Sequence, residues 1–130
     1  MRKLSILAIT LGTLAVAVFL TSCNDHKTNP VLGELSGSVA TAGSQYAHTF
    51  NTVGAFRYKC TIHPSCTSLQ GTIHVVSLAT PTDNDVTAIS FTGGSVTTCS
   101  SLSVQTDSVH VGETITWTNN SPLPHNVTSF

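Results

Sequence analysis

A period of two runs through most of this chain and leaves little room for anything but a β fold. "QYAHTF" sets Tyr46, His48 and Phe50 on one side of an extended segment. "AFRYKC" does the same with Phe56 and Tyr58, "GTIHVV" with Ile73 and Val75, and "ETITWT" with Ile115 and Trp117. "DVTAISF", "SLSVQ", "SVHV" and "HNVTSF" are further runs of strand type. Gly, Pro, Asn and Asp punctuate the spaces between them, and no helical period of useful length appears. About seven or eight short strands at this spacing predict an all-β fold, an antiparallel Greek-key sandwich of two sheets. Many exported sandwiches of this kind only bind or adhere, so the fold class alone does not imply chemistry.

The first part of the chain follows a different pattern. Arg2 and Lys3 precede an uncharged apolar run, Leu4 to Leu20, of about signal-peptide length and at the short end for crossing a membrane. Leu20-Thr21-Ser22-Cys23 resembles a bacterial lipobox, which implies that Cys23 becomes a lipidated N-terminus after cleavage. Residues 1–22 are then a lipoprotein signal peptide and 23–34 the lipidated end and a flexible polar tether, with the folded domain over 35–130. This predicts an exported chain, lipid-anchored on the periplasmic side of a bacterial membrane, where disulfides persist. Asn24 stands where an Asp is often linked to inner-membrane retention, so the outer membrane is slightly favoured.

Beyond residue 22 the ionic groups are Lys27, Arg57 and Lys59 against Asp25, Glu34, Asp83, Asp85, Asp107 and Glu113. Such sparse and slightly acidic charge argues against a nucleic-acid partner. The few carboxylates fall mostly in turns or in the tether, so no small-molecule substrate and no paired acid–base chemistry is expected. Cys60 and His63 could suggest a thiol nucleophile, but no orienting third group accompanies them, and the chain is read as a non-enzyme.

"YKCTIHPSC" instead reads as half of a metal site, a thiol and an imidazole three residues apart at the end of a strand. His26 lies in the tether. His48, His74 and His110 alternate within strand runs, as sheet-surface or hydrogen-bonded imidazoles do. His125 differs, because it follows the turn cluster in "TWTNNSPLPHNV" just as a strand begins.

Here the residues resemble a family. "TITWTNNSPLPHNV" is similar to the first-ligand segment of cupredoxins, the plastocyanin and amicyanin type of blue copper protein, where Pro-His-Asn delivers an imidazole. "GAFRYKCTIHP" is similar to the segment carrying the second and third ligands, and "GTIHVV" to the closing strand. The order is reversed relative to the family, in which Pro-His-Asn comes first. A circular permutation accounts for this, with "GTIHVV" feeding through "SLATPTDN" into "DVTAISF" and the new ends lying between Phe130 and Ser36.

The resemblance implies one copper ion, cycling between Cu(I) and Cu(II), held by Cys60, His63 and His125. Asn126 matches a position whose amide hydrogen-bonds around the Cys sulfur. The axial position, usually Met, has no Met available, because the one Met is Met1. Counting back from Gly71 gives a non-coordinating Leu69; counting forward from His63 gives Cys66 as a rival thiolate. Cys66 and Cys99 also stand in segments that the resemblance places together at the copper end, which implies a disulfide between them. The implied function is a monomeric one-electron carrier with transient redox partner proteins and His63 as its portal. An extracytoplasmic copper chaperone or buffer using the same ligands, and a metal-free structural or adhesive sandwich, are the alternatives.

Overall fold

The computed structural model describes residues 31–82 and 86–130; the expected signal peptide, the Cys23 lipidation site and the tether as far as residue 30 lie outside the described residues. Among the described residues there are nine strands: β1 Ser36–Val39, β2 Gln45–Thr49, β3 Gly54–Lys59, β4 Gln70–Val76, β5 Ala88–Thr92, β6 Ser101–Leu102, β7 Thr106–His110, β8 Thr114–Asn120 and β9 His125–Ser129. They form two sheets of an all-β sandwich, in the orders β1-β9-β3-β4-β7 and β2-β8-β5-β6.

All eight expected runs are strands. The ninth, β1, is Ser-Gly-Ser-Val and offers the core only Val39, so alternation does not reveal it. It forms because β9 presents a free edge with which it pairs in antiparallel register.

The sheets are mixed, not purely antiparallel as expected: β4 pairs with β7 and β5 with β8 in parallel. Connectivity explains this. From β4 the chain crosses to β5 and β6 in the second sheet, reversing twice, and returns as β7 beside β4 in the same direction. Parallel neighbours need such a crossover, whereas hairpins give antiparallel ones.

The docked chain also begins earlier than Leu35. The Val31 N–H donates to the Ala55 carbonyl at 2.9 Å, and the Glu34 carboxylate meets His48 Nε2 at 2.8 Å. Residues 31–34, expected in the tether, are therefore held against the domain.

The inward faces bury one apolar layer built around Trp117, which is fully enclosed. Tyr58 lies edge-on to it at a ring separation of 5.3 Å, Tyr46 is stacked at 5.7 Å and Phe50 stands at 6.5 Å. Such ring pairs add directional attraction to the area they bury. Burial pushes the Tyr58 pKa up to about 12, with the neighbouring indole opposing the shift and Asp107 adding to it. The phenol is thus a fixed, neutral wall of the core next to Cys60.

Gly71 in β4 is where that wall meets backbone, because a Cβ there would run into the Tyr58 ring and hydroxyl. Tyr58 is itself enclosed and has nowhere to move. Gly71→Ala is therefore expected to destabilise the domain by about 1–3 kcal/mol, the usual cost of overpacking. A thermal melt checks this; an unchanged midpoint would show that Tyr58 can be displaced.

Candidate metal centre

Three side chains converge where β3 ends and β9 begins. Cys60 follows β3 directly, His63 lies in the turn beyond it, and His125 opens β9. Cys60 Sγ is 3.6 Å from His63 Nδ1 and 3.6 Å from His125 Nδ1. All three donor atoms lie within 4.8 Å of one another, so these residues could together hold a metal ion. A sulfur and a nitrogen bound to one ion at about 2.3 and about 2.0 Å stand roughly 3.5–3.8 Å apart at open bond angles, which the spacing matches. Cys60 and His125 are buried and His63 is half-exposed.

The ligand segments reach this geometry through polar side chains that close their loops. Asn119 is completely buried at the end of β8 and uses its whole amide. Its Nδ2 donates to the Val39 and Leu123 carbonyls at 2.9 and 2.8 Å, and its Oδ1 accepts the Ser121 N–H at 2.9 Å. Ser121 Oγ accepts the Leu123 N–H at 3.0 Å and lies 2.9 Å from His125 Nε2. With Nδ1 turned to Cys60, the neutral imidazole carries its proton on Nε2 and donates it to Ser121. That hydrogen bond fixes both tautomer and ring angle, as partners behind a metal-binding His do. Phe91 stacks on the other side of the ring, nearly parallel at 4.6 Å.

Asn126 ties the two segments together. Its Oδ1 accepts the Thr61 N–H at 2.8 Å, and its Nδ2 donates to Thr61 Oγ1 at 2.7 Å, across 65 residues of chain. The amide thus grips the residue after Cys60. The ligand turn is closed further by Cys60 N–H donating to the Leu69 carbonyl at 3.0 Å and by Cys66 N–H donating to the His63 carbonyl at 3.0 Å.

Cys66 and Cys99 form a disulfide, with Cα atoms 5.6 Å apart. It staples the ligand turn to the β5–β6 connection and overturns Cys66 as a rival axial thiolate, since a disulfide sulfur has no thiolate to offer. Leu69 is buried and supplies no donor side chain. Among the described residues the cluster of His, Cys and acidic groups has these three members alone.

The remaining described imidazoles stand apart from it. His48 pairs with Glu34, His110 Nε2 lies 2.9 Å from the Thr80 carbonyl, and His74 is half-buried on the outer face of β4. Asn119 and Ser121 were not singled out in the sequence, where "NNSP" looks like any turn; only the fold shows what their side chains bind. No protein-family model, curated protein or solved structure matches the chain.

Burial, with the His63 imidazole beside it, lowers the His125 pKa to about 4. The folded state therefore resists protonation that an unfolded chain accepts near 6.5, and stability falls as pH drops through that window. The metal-free protein is expected to lose on the order of 3 kcal/mol between pH 6.5 and 4, less in His125→Gln. Urea midpoints across that range check it; identical profiles would show that another group is responsible. Replacing Cys66 and Cys99 together by Ser frees a loop with a sequence separation of 33. Loop-closure entropy then predicts a loss of about 3–4 kcal/mol by the same measurement.

Proposed function

We propose that this chain is a type 1 (blue) copper protein that carries single electrons. The observation behind this reading is the set of one cysteine sulfur and two imidazole nitrogens, each nitrogen 3.6 Å from the sulfur. Soft sulfur suits Cu(I), imidazole suits both oxidation states, and a compact trigonal set of this kind favours copper. A structural zinc site usually closes with four protein ligands, whereas among the described residues this cluster offers three. Copper bound there supplies a one-electron couple.

The protein's own residues hold the donors in place around that couple. Ser121 and Phe91 fix the His125 ring, Asn126 fixes the approach of its segment to Thr61, and the disulfide fixes the turn beyond His63. A frame that changes little between oxidation states lowers the reorganisation an electron transfer requires. His63 is the half-exposed ligand and lines a surface hollow of about 270 Å³ with Ile62, Pro64 and Val96. Its ring edge is the natural portal to a transient partner. Burial of the other two ligands favours electron transfer over delivery of the metal itself, which needs ligands an acceptor can reach.

The permuted cupredoxin reading is supported by the way the chain's two ends complete each other, with β9 lying between β1 and β3. The disulfide agrees with export to an oxidising compartment, and with it the lipid-anchored periplasmic placement read from the first residues.

Adding Cu(II) to the protein is expected to give one bound copper per chain and an intense visible thiolate-to-copper band. Cys60→Ser should abolish the band, and His125→Ala should abolish or strongly shift it. A colourless protein with no stoichiometric copper would sink the proposal and leave a structural sandwich.

A further inference from the structure

Charge is divided unevenly over the surface. Among the described residues the Lys and Arg side chains are Arg57 and Lys59, and both rise from β3 on its outer side. The Arg57 guanidinium and the Lys59 ammonium stand over the ring of Phe130, at 4.5 and 4.6 Å from its centre. Neither takes part in an ion pair among the described residues, where the pairs are His48–Glu34 and His110–Glu113. Glu34 and Glu113 lie toward the pole remote from the metal ligands, beside the end of β2 and in the β7–β8 turn, and Asp107 is buried. A shallow hollow of about 240 Å³ adjoins Arg57, lined also by Gln70, Thr72, Gln105 and Phe130.

We propose that this face, centred on Arg57, Lys59 and Phe130, is the docking surface for the acidic face of a partner protein. That the partner exchanges electrons rests on the copper reading above; the docking itself does not. Two cations on one face, without an ion-pair partner among the described residues, attract carboxylates and speed encounter. The Phe130 ring already confines both long side chains, so less rotamer freedom is lost when a partner arrives. A guanidinium stacked on a ring keeps its N–H edge free for a carboxylate. Arg and aromatic residues are also the types that anchor interfaces.

The position suits a redox role, because Lys59 directly precedes Cys60 in the chain. A partner here would stand one peptide unit from the sulfur, on a different face from the one that His63 shares with Ile62 and Val96. An anionic membrane is the weaker occupant. Juxtamembrane segments held by lipid headgroups carry clusters of roughly four to eight basic residues. Here there are two, and the N-terminal segment docks at Ala55, the opposite end of β3 from Lys59.

The test titrates the metal-free protein with a hexaglutamate peptide, and separately with vesicles containing phosphatidylglycerol, while amide NMR shifts are followed. Saturable peptide shifts centred on Arg57, Lys59, Gln70 and Thr128, lost in Arg57→Glu/Lys59→Glu and weakened in Arg57→Gln/Lys59→Gln, are expected. No saturable shift, shifts centred on His63 and Val96, or binding to the vesicles alone would overturn the docking surface. With the Cu(I) protein, one electron passes to hexacyanoferrate(III), which becomes hexacyanoferrate(II). The double Glu variant is expected to slow this roughly tenfold at low ionic strength, without slowing oxidation by the cationic tris(phenanthroline)cobalt(III). Equal effects on both oxidants would overturn the electron route. Failure of copper binding alone would remove the carrier reading and leave the peptide result standing.

Discussion

The cluster of Cys60, His63 and His125 depends on one strand pairing, that of β9 with β3. Tyr58 opposite Ser129 and Lys59 opposite Thr128 set the register of the two strands. That register brings Cys60 and His125 within 3.6 Å although 65 residues separate them. A slip by one residue would turn every β9 side chain to the other face. His125 would then point to solvent and Asn126 into the core. The Asn126–Thr61 hydrogen bonds guard against such a slip, because they form only in this register.

Burial creates both the value of His125 as a donor and the difficulty of keeping it. A neutral imidazole enclosed by the core has a free Nδ1 lone pair at ordinary pH, because burial penalises the charged form. Its other nitrogen must then be satisfied, since an unpaired buried donor costs about 1–3 kcal/mol. Ser121 meets that need, and Asn119 holds Ser121. Each member of this set satisfies another, and such fully paired networks are the ones that rigidify a site.

The two poles of the sandwich carry different groups. Ligands, disulfide and loop-closing amides gather at one end, near the cations of β3. The other end holds the Glu113 turn, the Glu34–His48 pair and the docked Val31 segment.

Much was legible in the residues themselves. Alternation located eight strands and put Trp117 with Ile115, Tyr58 with Phe56, and Ile73 with Val75 on common faces, because a side-chain period of two is a local property of extended backbone; the fold turns those faces inward. The Cys60–His63 spacing pointed to half of a metal site, and His125 stood apart from the other imidazoles in a Pro-containing turn; that the three meet was implied only by the family resemblance. Tertiary structure decided the rest. The parallel pairs follow from crossovers between sheets, and β1 exists because β9 leaves an edge for it. The residues 31–34 became part of the domain because Ala55 and His48 offered them partners. Asn119 and Ser121 gained their roles, and Cys66 lost its candidacy as a ligand, through contacts with distant residues. Local pattern determines which face a residue turns inward; what it meets there depends on segments far away in sequence, brought together only by the packed sheets.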